Sequence, residues 1–324
     1  MENNIIREPE KFSQELLKLL KKKISKKEKL KIDFRRVVRC NDQVCHGITI
    51  MKDNEHVARN FYVEQLFASH QEGKSLEELA DEVLEMAEDD SKQISISGNS
   101  VIEKMTDYEF MRNGHLMVRL FSRERNHEFL SGKLYVPYLD LALAVYAIVD
   151  KDQEDGLASA CISMDIFEQW GVDKEEVISD ILMQMGNLFP VECMTMENMF
   201  EELMGKDEFS KMMNPPEENE MIANLQLYIM TNKDRVNGSA TIVYPGALET
   251  FAKQHGVNEV DILPSSQHEV ILIPNNEDSP ARSELAKMIR EVNRTAVMDG
   301  EVLSDNLYIY NADTDQVHIW NGLE

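Results

Sequence analysis

The sequence lacks the usual marks of a secreted or membrane-spanning protein. It has no uncharged apolar run of the ~18 residues that a transmembrane helix needs. Its first residues, MENNIIREPEKFSQELL, carry acids where a signal peptide needs a basic start and an apolar block. Four cysteines in 324 residues, at positions 40, 45, 161 and 193, do not indicate a disulfide framework. We therefore expect a cytoplasmic protein without a membrane span.

Several catalytic and cofactor-binding motifs are also missing. No H-E-x-x-H, P-loop or G-x-G-x-x-G pattern occurs, so zinc proteases, nucleoside triphosphatases and dinucleotide-binding enzymes lack their usual signatures. Cys40, Cys45 and His46 form a C-x4-C-H pattern. A zinc site would need a paired C-x2-C knuckle or a second ligand cluster, and neither is present. We expect no cofactor and no metal site.

Charge is present in excess and is unevenly distributed. The chain has a net charge of −25, yet the stretch between Lys18 and Arg39 has eleven basic and two acidic residues. The rest of the chain therefore carries −34. An acidic body of this kind repels nucleic acid, whose binding depends on neutralising phosphates with lysine and arginine. We expect no nucleic-acid partner.

The basic stretch overlaps an amphipathic pattern. Phe12, Leu16, Leu19, Leu20 and Ile24 recur at helical spacing, which predicts a basic amphipathic helix within residues 1–30. The simpler interpretation is a helix with a solvated lysine face, packed on the protein's own acidic body. The alternative is a contact with a membrane surface or a nucleic acid, which usually needs a second binding signal. We favour the simpler interpretation.

Residues 225–274 are the most informative for fold. Their pattern predicts strand, turn, strand, helix, strand, turn and strand, with Asn237-Gly238 as a hairpin turn and Gly256 as a helix C-cap. Residues 145–172 resemble the first part of this segment, with Asp155-Gly156 at the equivalent turn. A hairpin with one helix cannot bury its apolar face alone. We therefore predict an α+β fold of repeated β-hairpin plus helix units, forming mainly antiparallel sheets covered by helices.

Other patterns place further elements and a domain boundary. Two strands are expected around Asn41-Asp42, a helix after a capping box of Ser75 and Glu78, and a mostly helical stretch between Met105 and Asn126. Pro215-Pro216, followed by acidic residues, is the strongest candidate for a linker between two domains. We predict an N-terminal α+β domain over residues 31–214 and a C-terminal ββαββαββ domain over residues 221–324.

The N-terminal domain is expected to end in a methionine-rich helical segment. Ten of the nineteen methionines fall within residues 183–230. Because methionine is flexible and polarizable, Met194, Met196, Met199 and Met204 are candidates for an adaptable partner surface. The alternative is a buried helix face in which methionine replaces leucine, and the normal helical spacing of Met199, Phe200 and Leu203 favours this alternative.

The segment ILPSSQHEV is the best candidate for a catalytic site. It places Ser265, Ser266, His268 and Glu269 together at a predicted turn. A serine nucleophile needs a base within hydrogen-bond reach and a third group that orients the base. Alternate side chains of a strand point to opposite faces, which separates His268 from Glu269. The alternative is a serine-rich turn whose hydroxyls bond the backbone.

Several segments together resemble a known family. The residues TNKDRVNGSATIVYPGAL, ILPSSQHEVILIP, VPYLDLALAV and EVLSDNLYIY are similar to those of a bacterial domain-of-unknown-function family, number 5688. The resemblance extends over most of the chain from about residue 30 onward. It implies no activity, cofactor or catalytic residue.

These observations favour a non-enzymatic binding or regulatory protein, acidic and similar in role to a chaperone or an adaptor. Its expected partner is a basic or amphipathic protein segment. The alternative is a hydrolase with a site near Ser266, His268 and Glu269 in a cleft between the domains. An acidic mimic of nucleic acid rests on charge alone and ranks last.

Overall fold

A computed structural model describes residues 6–25, 30–52, 58–89, 96–152, 156–205, 226–264, 266–277 and 279–322. In them the chain forms helices and mostly antiparallel strands in three sheets, which confirms the predicted α+β class. The chain divides into two compact units. Unit 1 is Met1–Lys104 with Val149–Ser159, and unit 2 is Met105–Ile148 with Ala160–Glu324.

Unit 1 combines a three-stranded sheet of order β1-β2-β3 with helices. The Asn41 backbone is left-handed (φ 57°), which allows the tight connection between β1 and β2. Ser75 and Glu78 form the predicted capping box at the start of α3. The elements are α1 (Pro9–Ile24), β1 (Leu30–Arg39), β2 (Gln43–Lys52), β3 (Arg59–Tyr62), α2 (Val63–Gln71), α3 (Leu76–Glu88) and α4 (Ile96–Glu103).

The predicted amphipathic helix is α1, and its apolar stripe is buried. Phe12, Leu16 and Leu20 are fully enclosed in the core of unit 1. Lys23, in the last turn of the helix, forms an ion pair with Asp81 of α3. The basic helix therefore packs on its own chain, as the simpler interpretation expected.

Unit 2 contains two sheets. The smaller sheet has the strand order β4-β6-β5, and β7 also pairs with β6. The larger sheet has the strand order β13-β12-β10-β11-β9-β8. Its elements are α5 (Tyr108–Met111), β4 (Leu116–Ser122), β5 (Tyr135–Tyr138), β6 (Leu141–Asp152), β7 (Gly156–Cys161), α6 (Met164–Trp170), α7 (Lys174–Leu188), β8 (Val191–Thr195), α8 (Met196–Met204), β9 (Tyr228–Asn232), α9 (Ala247–His255), β10 (Glu259–Leu263), β11 (Val270–Pro274), α10 (Arg282–Thr295), β12 (Tyr308–Asn311) and β13 (Gln316–Ile319). The C-terminal end of β6 and the N-terminal part of β7 belong to unit 1.

The helical prediction for the stretch between Met105 and Asn126 is wrong. Only the short α5 forms there, followed by β4, which pairs along its whole length with β6. Almost every residue of β4 is buried, so the strand has no polar face to produce an alternating pattern. A short, continuously apolar run cannot be assigned to strand or helix by periodicity alone.

The hairpin predicted at Asn237-Gly238 is also wrong, although β6, β7 and α6 form the equivalent unit as expected. Residues Gly238–Val243 form a 3₁₀ helix instead of a second strand. Both edges of β9 are already occupied, by β11 and β8, so no edge is left to pair. A Cβ at Gly238 would lie 2.1 Å from Thr231 Oγ1 and 2.7 Å from the His268 carbonyl oxygen, so only glycine permits this packing.

The predicted domain boundary at Pro215-Pro216 lies outside the described residues, and that division stays a prediction. Strand β8, which precedes the boundary in sequence, pairs with β9, which follows it. Among the described residues, no helix is both long enough and apolar enough to span a membrane.

Candidate functional site

The most distinctive surface of unit 2 is a groove at one end of its larger sheet. Strand β8 is the last in the sheet order, so within the described residues its outer edge has no strand neighbour. Val191 and Cys193 of β8 are exposed. Cys193 pairs across the ladder with the buried Met230 of β9. These side chains form the floor of the groove.

Two helices form the walls. Helix α7 contributes Leu182 and Met183, and α9 contributes Thr250 and Phe251 together with the turn that precedes it. The groove encloses about 650 Å³. Met183 is 65% exposed, which is unusual for a large apolar side chain beside an apolar cavity. The groove is therefore apolar and open to solvent.

A second cavity of about 450 Å³ adjoins the groove. The two share Leu182 and the turn Tyr244-Pro245-Gly246. Tyr244 is only 5% exposed, and its hydroxyl has no hydrogen-bond partner among the described residues. Burial, and then the nearby charge of Asp234, raise the pKa of Tyr244, so the hydroxyl stays protonated. It is a buried donor that a ligand's acceptor atom could satisfy.

The methionines proposed from the sequence belong to β8 and α8 and are not among the described residues that line the groove. Met194, Met196 and Met199 are half-buried, and the Met204 side chain lies outside the described part of the structure. Met183 and Val191 are more exposed. Met183 lies on α7 and Val191 on the outermost strand β8, and no local pattern distinguishes either of them.

Helix α8 is held against β8 by one arginine. Arg235, in a left-handed backbone conformation (φ 53°), binds Glu192 of β8 at 2.9 Å through Nε and Glu202 of α8 at 2.6 Å through Nη2. These two ion pairs raise the pKa of Arg235. They connect the strand, the helix and the turn after β9, so the region around the edge of the sheet is fixed by side-chain contacts.

In the segment with Ser266 and His268, the serine hydroxyl bonds to the backbone and not to the imidazole. Ser265 lies outside the described residues. Ser266 is buried, and its Oγ accepts a hydrogen bond from the backbone N–H of His268 at 2.9 Å. Within the described chain, no hydrogen bond joins the Ser266 hydroxyl to the His268 imidazole. The imidazole is 38% exposed; its Nε2 lies 3.6 Å from Oε1 of Glu301, a residue that the sequence did not single out.

Backbone carbonyls of the same turn bond to the neighbouring 3₁₀ helix and to β9. The Gln267 carbonyl accepts from the Ser239 hydroxyl at 2.8 Å, and the His268 carbonyl accepts from the Thr231 hydroxyl at 2.7 Å. Of the turn's own serines, Ser266 has its hydroxyl bonded to the backbone, as in the alternative interpretation, which also stays a prediction. Glu269 is half-buried. A hydrolytic role for Ser266, His268 and Glu269 stays a prediction.

The C-x4-C-H pattern lies on the first hairpin of unit 1. Cys40 and Cys45 are half-buried, and His46 Nδ1 lies 3.1 Å from a carboxylate oxygen of Glu64. Among the described residues, no three histidine, cysteine, aspartate or glutamate side chains are grouped to hold a metal ion.

The fold and the groove define an α+β protein with an apolar cleft at a sheet edge. A family model described as a family of unknown function (DUF5688) matches residues 9–312, and the chain belongs to this family. Neither the curated proteins nor the solved structures contain a significant match.

Proposed function

We propose that the protein is a cytoplasmic, non-enzymatic binding protein that holds a basic, amphipathic segment of a partner protein in the groove between α7 and α9. The observation that supports this proposal most directly is the open, apolar groove beside the edge of β8, which has no strand neighbour among the described residues. An exposed sheet edge can pair with an added strand, and pockets beside it then select side chains. Met183 and Val191 supply exposed apolar contacts for the partner.

Charge favours a basic partner. Acidic residues occupy the first turns of the helices on either side of β8, Glu175 and Glu176 in α7 and Glu197 in α8. With a net charge of −25, the whole chain attracts positively charged segments. Complementary charge increases the association rate and selects the partner, and high salt screens it.

Site-specific photocrosslinking tests this proposal. A photoreactive amino acid is placed at Met183 or at Met298, which is 66% exposed and does not line the groove. We expect crosslinks to a discrete partner from position 183 only, and fewer of them at high salt. Crosslinks of equal yield from both positions, or none from position 183, would contradict the proposal.

The partner identified in this way is then titrated with purified variants. Met183→Glu places a charge in the groove and should weaken binding at least about tenfold, because a desolvated charge opposes apolar contact. Met298→Glu changes the net charge equally and should leave the affinity unchanged. Equal effects of the two substitutions would show that overall charge, and not the groove, determines binding.

A further inference from the structure

A different cavity of unit 2, of about 550 Å³, is lined by basic side chains. Arg123, His127 and Lys133 come from the connection between β4 and β5, and Lys174 is the first residue of α7. No aspartate or glutamate among the described residues lines the cavity. Four basic side chains around one cavity are unexpected in a chain with a net charge of −25.

Arg123 and Lys174 are not neutralised as other cations in unit 2 are. Arg112, Arg125, Arg235 and Arg282 each form an ion pair with a carboxylate. Within the described residues, Arg123, His127 and Lys174 form none. Acidic residues adjoin them in sequence, namely Glu124, Glu128, Asp173 and Glu175, but none of these lines the cavity.

The segment that carries three of the basic residues is held in place by buried contacts. Asn126 is fully buried, and its Nδ2 donates to the Ser122 carbonyl at 2.7 Å. The Leu130 N–H donates to the Asn126 carbonyl at 2.9 Å, and Lys133 forms a β-bridge with Ser163. Because the backbone of this segment is held by these contacts, less of it has to be ordered when an anion binds.

We infer that this cavity binds a small phosphate ester. The Arg123 guanidinium can bind two phosphate oxygens at once, and Lys174 supplies compact positive charge for a dianion. Tyr135, Pro137 and Met164 line the same cavity and offer apolar contact for the organic part of the ligand. The acidic body disfavours a polymeric nucleic acid. This inference is independent of the groove between α7 and α9.

Calorimetric titration of the whole protein tests the inference. The ligands are phenyl phosphate, inorganic phosphate, benzoate and a short single-stranded RNA. Phenyl phosphate should bind with one-to-one stoichiometry and more tightly than inorganic phosphate, which lacks the ring, or benzoate, which has one charge. Absence of saturable phenyl phosphate binding would overturn the inference. Equal or tighter binding of benzoate would overturn the phosphate assignment, and tighter binding of the RNA would overturn the small-ligand class.

Two double variants with the same change in net charge locate the site. Arg123→Gln with Lys174→Gln should weaken phenyl phosphate binding at least about tenfold, since two charge-assisted contacts are lost. Lys287→Gln with Arg290→Gln removes two exposed cations of α10 and should change it less than about twofold. Equal losses would show that only overall charge matters, and the inference would fail.

A folding control accompanies these titrations. The thermal unfolding midpoint of each variant is compared with that of the unmodified protein. If the first double variant is destabilised, Arg123→Gln alone serves as the test, because Arg123 is exposed and its removal leaves no cavity. A single variant that folds normally and binds phenyl phosphate as tightly as the unmodified protein would overturn the inference.

Discussion

The two units are stabilised in different ways. The core of unit 1 is apolar, and Thr49 and His70 are the buried polar residues in its described part. The core of unit 2 also encloses polar side chains from many elements: Ser122, Asn126, Asp180, Thr231, Asn232, Ser239, Thr241, Asp261, Ser266, Gln267, Asn293 and Ser304. Unit 1 therefore depends mainly on buried apolar area, and unit 2 depends in addition on directional hydrogen bonds.

Two carboxylates show how unit 2 uses these bonds. Asp261 of β10 is fully buried and accepts hydrogen bonds from Arg282 Nε and Asn275 Nδ2, each at 2.8 Å. Asp140, at the turn between β5 and β6, accepts from the hydroxyls of Ser304 and Tyr308. Each carboxylate connects segments that are far apart in the chain. Removing one should therefore affect unit 2 well beyond its own strand.

The largest expected effect is that of Asp261→Ala. It leaves the Arg282 and Asn275 donors without a buried acceptor and should destabilise unit 2 by about 3–5 kcal/mol. Amide hydrogen exchange, followed peptide by peptide, should show faster exchange in β10 and β11 and no change in α1. Asp313→Ala, which removes an exposed aspartate bonded to Asn258, is the control and should cost under about 1 kcal/mol. If the two variants are equally stable, the buried network does not stabilise unit 2.

Leu16→Ala tests whether unit 1 depends mainly on buried apolar area. Leu16 is fully buried in α1, so its truncation leaves a cavity and should cost about 2–5 kcal/mol. Exchange should accelerate in the peptides of α1 and α3 while β10 keeps its protection. The matched control is Leu19→Ala in the same helix, where the side chain is only partly buried and the loss should be smaller. A larger loss for the Leu19 variant would contradict the assigned helix face.

The smallest effect concerns pH. The hydrogen bond from Arg282 is the main cause that lowers the pKa of Glu259 below 4.5. An acid with a lowered folded-state pKa contributes its stability above pH 4.5 and loses it as the pH falls through the folded-state value. Glu259→Gln should therefore be less stable than the unmodified protein at pH 7, by under about 1 kcal/mol because the pair is partly exposed, and nearly equal to it in acid.

Urea unfolding of both proteins at several pH values measures this difference. Glu249→Gln, which neutralises an exposed carboxylate paired with Lys253 in the same unit, is the control. If the stability gap for Glu259→Gln stays constant down to acid pH, the ion pair with Arg282 is not its cause.

Elements whose formation depends on neighbouring residues were predictable from the sequence. The stripe of α1, the capping box before α3, the β1–β2 turn and the last hairpin are all confirmed. The errors occurred where distant pairing decides the outcome. Strand β4 is buried between other elements, and residues 238–243 find no free edge beside β9. The spacing of apolar residues within a short segment indicates neither of these facts.

The candidate sites were less predictable. The groove lined by Met183 and Val191 lies beside the last strand of a sheet, and no short motif specifies the position of a strand in a sheet. Arg123 and Lys174 are about fifty residues apart and meet because the β4–β5 connection and the start of α7 line one cavity. Ser266 and His268 are neighbours in sequence, yet their hydrogen bond is a backbone contact. Proximity along the chain was therefore a poor guide to a shared cavity.

The path of the chain has a consequence for synthesis on the ribosome. The chain leaves unit 1 after residue 104, returns for residues 149–159 and then leaves again. Unit 1 therefore cannot be completed until about half of the polypeptide has been made, even though its helices and first sheet emerge early. The core that encloses the apolar stripe of α1 consists of residues that all precede residue 90, so a nascent chain stalled before residue 149 should already bury that stripe and resist proteolysis there.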